Sequence, residues 1–179
     1  MMTKAVVVDC GGKTADPMWE IERQKLLPWF FGKGVDIGCG ARKIKDDVLG
    51  VDIDKKVKPD VVASGDKLPF DSGVFDFVCG IHSFEHFADA DLVLCEWLRV
   101  LRPGGFIGIV HPDITFTKKQ KGPADNPVLK NNLYYKHYHE YDLKSFLSFL
   151  KKRVSLGFDI VDFGPACPNW SFYVILKKR

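Results

Sequence analysis

The chain has 179 residues, of which 46% are hydrophobic and 27% are charged, a balance that fits one globular domain with a complete core. Its formal net charge of +3 is too small to indicate nucleic acid or an anionic membrane surface as a partner. Five cysteines without a CxxC pair argue against disulfides and structural zinc. Because no apolar run approaches the roughly 18 residues of a membrane span and no signal peptide is evident, we expect a cytoplasmic protein.

The N-terminal part contains a first candidate for a nucleotide-binding turn. The segment AVVVDCGGK (5–13) can be read as a strand and a glycine turn, with Asp36 as the acid that ends a second strand. A sheet that begins at Val35 instead gives every later segment its expected place. We therefore interpret this first segment as an N-terminal strand or extended arm.

A helix is predicted to follow this arm. Asp16 is a plausible N-cap, Pro17 suits the first helical position, and Pro28 is expected to end or kink the helix. Residues 1–33 would then form an arm and a helix in front of the sheet.

From residue 34 onward, short apolar segments alternate with helical patterns, which predicts an α/β fold with a parallel sheet covered by helices. The predicted strands are rich in β-branched and aromatic residues and comprise 34–37, 48–53, 60–63, 74–81, 105–111, 157–164 and 171–178. Amphipathic helices are expected at 89–101 and 141–153, the second with Asp142 as its N-cap. The last two strands are close enough in sequence for an antiparallel hairpin.

The segment VDIGCGARK (35–43) carries the clearest functional signal. Ligands of open α/β sheets bind beyond the carboxyl ends of the strands, where Gly38 and Gly40 would let the backbone approach them closely. Asp52, at the end of the second strand, could accept hydrogen bonds from a ribose diol. NAD, FAD and S-adenosylmethionine all fit this pattern. However, no third glycine follows, and the short segment before Val48 leaves no full helix to receive a pyrophosphate, which favours S-adenosylmethionine.

Taken together, these motifs resemble class I S-adenosylmethionine-dependent methyltransferases, and in particular a small, shortened methyltransferase of type 11. VDIGCGA resembles the glycine motif, GVDID the ribose acid, SGDKLPFDSGVFDFVCGIHSFEH the adenine loop and fourth strand, and LRVLRPGG the turn into the fifth strand. The resemblance implies a Rossmann-like, seven-stranded, mostly parallel sheet with an antiparallel C-terminal hairpin and helices on both faces. The segment 41–47 is shorter than in the family, as in small methyltransferases associated with polysaccharide or surface-glycan chemistry.

The resemblance also implies which residues would bind S-adenosylmethionine. Asp36, Gly38, Cys39 and Gly40 would line the methionine end, Asp52 and Ile53 the ribose and adenine, Asp66 and Lys67 the adenine edge, and His82 the methionine portion or the acceptor. A sulfonium methyl is already activated, so the protein mainly has to align the acceptor and exclude water. Where the acceptor needs a base, His82, Glu85 and His111 are the candidate catalytic residues.

The segment 112–141 is too long for a simple connection and is interpreted as a lid or acceptor-binding insert. Its interleaved lysines and tyrosines could bind an anionic, ring-bearing acceptor such as a nucleotide sugar or RNA, although acidic residues offset part of the charge and favour a solvated loop. The HYH sequence at 137–139 is interpreted as a surface pair, and no metal site is predicted.

The sequence therefore predicts a single-domain methyltransferase across residues 1–179 that uses S-adenosylmethionine. The expected acceptor is a small molecule or a glycan, and nucleic acid remains open, except that GIHSFEH lacks the motif of enzymes that methylate adenine or cytosine amino groups. Two alternatives remain. One is a non-catalytic binding module that keeps the cofactor fold, and the other is an NAD-type oxidoreductase.

Overall fold

The computed structural model describes residues 17–117 and 136–179. The predicted N-terminal strand or arm and much of the predicted insert therefore lie outside the described residues. The first described element is helix α1 (Pro17–Leu26), which continues as a 3-10 turn at Leu27–Trp29. Pro28 lies in that turn, so the prediction that this proline ends the α-helix is confirmed.

Seven strands form one sheet in the order β3-β2-β1-β4-β5-β7-β6. Their bounds are β1 Gly34–Ile37, β2 Leu49–Asp52, β3 Val61–Val62, β4 Phe75–Ile81, β5 Leu101–Pro112, β6 Phe158–Pro165 and β7 Ser171–Lys178. The first five strands pair in parallel, whereas β7 runs antiparallel to both β5 and β6. The predicted seven-stranded fold with an antiparallel C-terminal hairpin is confirmed.

The fifth strand begins earlier than its sequence pattern indicates. β5 starts at Leu101, directly after helix α2 (Ala90–Val100), whereas the apolar run predicts a start near residue 105. Leu101 pairs with Phe75, and the register then shifts before Phe106 pairs with Phe77. The intervening glycines allow this irregularity, since Gly104 has a φ of +80°.

Helices cover both faces of the sheet. On one face lie α2 and α4 (Leu143–Lys151), whose buried side chains share a core with the sheet residues Val35, Phe75 and Ile109. Asp89 caps α2, and Asp142 caps α4 in a capping box with Ser145, as the sequence predicts for Asp142. The short helix α3 (Ile114–Thr117) follows β5.

The opposite face of the sheet packs against α1 and the turn that follows it. Leu26 and Phe30 join Phe77, Val110 and Ile175 in a second buried cluster. Phe30 stacks on Phe77 with 4.4 Å between the ring centroids. In the parts of the chain that the structure describes, every helix is too short or too polar to cross a lipid bilayer.

Candidate functional site

A cavity of about 640 Å³ opens beyond the carboxyl ends of β1, β2 and β4. These three strands are neighbours in the sheet, so the residues that follow them are brought together. The wall is formed by residues 37–42, 52–54, 63–66, 81–83 and 86–88, by one face of α1, and by Tyr138 and Trp170. Seven of the predicted cofactor-binding residues line this cavity, namely Gly38, Cys39, Gly40, Asp52, Ile53, Asp66 and His82.

The glycine turn after β1 requires glycine at two positions. Gly38 has a φ of +72°, and a Cβ atom there would lie 2.5 Å from the Cβ of Ser83. Gly40 has a φ of +55° and no atom within 4 Å of the position a Cβ would take, so its backbone faces open space. The turn is tied to β2, because the amide of Gly38 donates to the carbonyl of Val51 at 2.8 Å.

Asp52 ends β2 and holds the glycine turn from the other side. One carboxylate oxygen accepts from the amide of Gly40 at 2.9 Å, and the other accepts from the amide of Asp54 at 2.8 Å. Each carboxylate oxygen can accept a second hydrogen bond, and Asp52 is only half-buried on the cavity wall. The carboxylate is thus fixed in position and keeps acceptor capacity for a ligand.

The loop after β3 forms another part of the wall. Asp66 accepts from the Ser64 hydroxyl at 2.5 Å, and the indole N–H of Trp97 in α2 donates to the carbonyl of Gly65 at 3.1 Å. The first contact is within the loop, and the second ties the loop to α2. Lys67, predicted at the adenine edge, is exposed and does not line the cavity.

Asp36, predicted at the methionine end, does not line the cavity either. Its carboxylate is buried, and it accepts from the amide of Ile44 at 2.6 Å. Burial raises the pKa of Asp36 to about 6, although the bond from Ile44 acts in the opposite direction. Because it points toward the short segment 41–47, Asp36 anchors the segment that follows the glycine turn.

Cys39 lines the cavity and is almost fully buried. Burial, helped by Asp36 and Asp52, raises the pKa of the thiol to about 12. The thiol therefore stays protonated near neutral pH, which argues against a role of Cys39 as a nucleophile.

His82 follows β4 and has the unusual φ of +53° for a residue other than glycine. Its Nε2 lies 2.8 Å from Oε1 of Glu22, a buried carboxylate on α1. Burial lowers the pKa of His82, but Glu22 and Glu85 outweigh it and raise the pKa to about 10. His82 therefore carries a proton at neutral pH, and a protonated imidazole cannot accept another. The structure thus argues against His82 as a general base.

Glu85 and His111, the other two predicted catalytic residues, lie behind the cavity wall. Glu85 is 1% exposed; burial raises its pKa, but His82, His111 and His86 together lower the pKa to about 2. His111 is also 1% exposed, donates from Nδ1 to the carbonyl of Pro112 at 2.7 Å, and stacks on Phe172. Burial lowers the pKa of His111. Neither side chain lines the cavity.

The sequence motifs miss several residues that complete the wall. Trp19 and Glu22 come from α1, and Trp170 precedes β7. The sequence holds one local signal for Glu22. Met18, Glu22 and Leu26 are spaced four residues apart and so share one face of α1, and Leu26 on that face packs in the core. Trp170 has no such signal, because only the pairing of β7 with β5 brings it near His82, with 6.4 Å between the ring centroids.

Comparison with known proteins identifies similar sequences and folds. A family model described as a methyltransferase domain matches residues 35–109, which run from the glycine turn into β5. Ajmaline N-methyltransferase from Rauvolfia serpentina is 33% identical over 104 residues, which cover 55% of this chain and 35% of that protein. The chain thus spans about a third of the length of this curated relative.

Solved structures share the fold over nearly the whole chain. A Thermotoga maritima protein, described as a methyltransferase that depends on S-adenosylmethionine and possibly a histamine N-methyltransferase, aligns with a TM-score of 0.65 and 19% identity. The alignment covers 89% of this chain and 88% of that one. A Pyrococcus horikoshii protein aligns with a TM-score of 0.70 and 19% identity, covering 96% of this chain and 94% of its own. At these identities the structural matches show the fold.

Proposed function

We propose, from the premise that this chain belongs with the class I S-adenosylmethionine-dependent methyltransferases, that it binds S-adenosylmethionine in the cavity and transfers the methyl group to an acceptor. The acceptor in this proposal is a small molecule or a glycan. The observation that carries the proposal is that the glycine turn and Asp52 face one cavity at the carboxyl ends of the central strands.

The proposed orientation of the cofactor follows from the wall residues. Asp52 would accept hydrogen bonds from the ribose hydroxyls, because its carboxylate is held at the cavity edge by two backbone amides. Ile53 and Asp66 would border the adenine. The methionine portion would extend along Gly38 and Gly40 toward His82, whose positive charge suits a carboxylate.

The acceptor would pack against aromatic residues of the cavity wall. Trp19, Phe87, Tyr138 and Trp170 all lie on the wall, and such rings pack on planar or ring-bearing small molecules as well as on sugars. Tyr138 belongs to the predicted insert, and this supports a role of the insert in acceptor binding. The names of two similar proteins, an ajmaline N-methyltransferase and a possible histamine N-methyltransferase, support a nitrogen atom of a small molecule as the methylated atom.

The proposed chemistry relies on positioning. Methyl transfer needs an acceptor lone pair in line with the bond between sulfur and the methyl carbon, in a site that excludes water. With His82 protonated, and Glu85 and His111 behind the wall, these side chains supply no base at the acceptor. A neutral amine meets this requirement, because it presents its own lone pair and loses its proton only after transfer.

Calorimetric titration of S-adenosylhomocysteine tests the cofactor part of the proposal. Asp52→Asn keeps an oxygen that can accept from Gly40 but removes the charge that strengthens the ribose contact, so we expect about 10- to 100-fold weaker binding. Asp71→Asn is the matched control, because Asp71 is exposed and does not line the cavity. Equal affinity of the two variants would contradict the proposed ribose contact. A wild type that binds NAD but not S-adenosylhomocysteine would favour the oxidoreductase alternative.

A transfer assay tests the acceptor part. The wild type is incubated with S-adenosylmethionine and separate panels of small amines, hydroxylated small molecules, oligosaccharides and RNA, and the products are detected by mass spectrometry. We expect methylation in a small-molecule or oligosaccharide panel. Methylation of RNA alone would overturn the acceptor proposal, and cofactor binding without transfer to any panel would favour the binding-module alternative.

A further inference from the structure

Three side chains that could bind a metal ion converge at the edge of the cavity. Glu85 and His86 lie in a 3-10 turn after β4, and His137 lies in the segment that precedes α4. One carboxylate oxygen of Glu85 and one ring nitrogen from each histidine all lie within 4.8 Å of one another. Fifty-one positions separate His86 from His137, and the fold alone brings them together.

Backbone contacts fix the two segments against each other. The amide of Tyr138 donates to the carbonyl of Glu85 at 2.8 Å, and Nδ1 of His86 lies 3.1 Å from the carbonyl of Lys136. A carbonyl oxygen can only accept, so Nδ1 of His86 carries the hydrogen and its Nε2 carries a lone pair. Histidines that bind metals are typically oriented in this way, with the distal ring nitrogen donating to a carbonyl or carboxylate.

Glu85 supplies an independent observation that points to a cation. Its carboxylate is buried, and neither oxygen has a hydrogen-bond partner among the described residues. The nearest histidine nitrogens are Nδ1 of His82 at 3.8 Å and Nε2 of His86 at 4.0 Å, both beyond hydrogen-bond distance. Because neither carboxylate oxygen accepts a hydrogen bond from the described residues, both keep their lone pairs, and a directly bound cation would satisfy them.

We propose that Glu85, His86 and His137 form a binding site for one divalent transition-metal ion. Two imidazole nitrogens and one carboxylate oxygen suit zinc and its neighbours such as cobalt, rather than magnesium or calcium, which prefer oxygen ligands. Ligand atoms bonded at about 2.0–2.2 Å to a tetrahedral ion lie roughly 3.3 Å apart. The three atoms are already within 4.8 Å, so small side-chain rotations close the site.

The site lies where an acceptor would approach. His86 and Tyr138 line the cavity, whereas Glu85 lies behind them. Three protein ligands leave a fourth position open on a tetrahedral ion. If the proposed function holds, this open position would coordinate a hydroxyl oxygen of the acceptor and lower the pKa of that hydroxyl, while the oxygen keeps a lone pair for the methyl group. The metal site itself does not depend on methyl transfer.

Titration of Co²⁺ into the untagged, chelator-treated chain, followed by visible absorption, tests the site. We expect one Co²⁺ per chain, displaced by Zn²⁺, without the charge-transfer absorption of a thiolate ligand. His137→Ala should weaken Co²⁺ binding by at least about 100-fold, because it removes one of three ligands. Glu85→Gln, which keeps the size of the side chain, should weaken binding as well. Circular dichroism of each variant checks that the fold is kept.

His139→Ala is the matched control. It removes a histidine from the same segment whose Nε2 is also buried without a hydrogen-bond partner among the described residues, but which does not belong to the cluster. We expect it to bind Co²⁺ like the wild type. The proposal is overturned if the wild type takes up no Co²⁺, if the spectrum shows a thiolate ligand, or if folded His137→Ala and His139→Ala bind equally well. S-adenosylhomocysteine binding, measured on the same samples, shows separately whether the proposed function fails.

Discussion

The two sides of the cavity are built differently. On the side of β1 and β2, the glycine turn and Asp52 come from nearby sequence and are held by backbone hydrogen bonds, such as those from Gly38 to Val51 and from Gly40 to Asp52. On the side of β4, ionisable side chains meet from α1, the turn after β4 and the segment before α4. The first side depends on local backbone shape, and the second depends on long-range packing of charges. Substitutions on the two sides should therefore destabilise the protein for different physical reasons.

The largest effect is expected from Glu22→Ala on the charged side. This change leaves the His82 imidazolium without its 2.8 Å partner and also removes the acceptor for the hydroxyl of Ser171. Loss of one member of a buried ion pair typically costs about 3–5 kcal/mol of unfolding free energy. Urea denaturation of the variant and the wild type measures this difference in unfolding free energy. Glu20→Ala is the control on the same helix, and loss of its exposed pair with Arg23 should change the unfolding free energy far less, because solvent screens that pair. Similar losses in the two variants would contradict this contrast.

Asp36→Asn should change the free energy of unfolding, relative to the wild type, by about 3 kcal/mol between low and neutral pH. Burial raises the pKa of Asp36 from 3.8 to about 6, so the folded protein favours the neutral acid. That stabilisation is complete below pH 4 and is lost as the pH rises through 6. Asparagine stays neutral and can still accept from the Ile44 amide. The variant should therefore gain stability relative to the wild type between pH 4 and 6, by about 1.4 kcal/mol per pKa unit. A constant difference in denaturation midpoint would contradict the raised pKa.

A smaller effect, about 2 kcal/mol, is expected from Gly38→Ala on the backbone side. The substitution places a Cβ at positive φ and 2.5 Å from the Cβ of Ser83. Gly40→Ala has no such contact and should cost only about 1 kcal/mol through its positive φ. Because Gly38 and Gly40 both line the cavity, both variants should nevertheless weaken S-adenosylhomocysteine binding. Chemical denaturation measures the loss of stability, and calorimetry measures the loss of binding. If the two variants lose equal stability, the predicted clash between a Cβ at position 38 and Ser83 is contradicted.

The backbone side could be predicted from the sequence because its signals are short-range. The spacing of Gly38, Gly40 and Asp52 indicates a turn and an acid at adjacent strand ends, and the structure places all three on one cavity wall. Asp36 shows the limit of this reasoning. The alternating strand pattern does not reveal that its carboxylate faces the amide of Ile44 instead of the cavity.

The charged side could be predicted only in part. His82 lines the cavity, but its protonation depends on Glu22, which lies 60 positions away on another element. Glu85 follows β4 and His111 lies near the end of β5, where packing of Phe146 and Phe172 around the His111 ring places it in the core. The proximity of His137 to His86 likewise depends on the fold, so the sequence HYH alone suggests only a surface pair.

A crystal structure of the chain with S-adenosylhomocysteine tests the central claim most directly. We predict that the ligand occupies the cavity beyond β1, β2 and β4, with its ribose hydroxyls within about 3.2 Å of the Asp52 carboxylate and its methionine portion beside Gly38 and His82. A ligand bound elsewhere, or in this cavity with its ribose away from Asp52, would contradict the account.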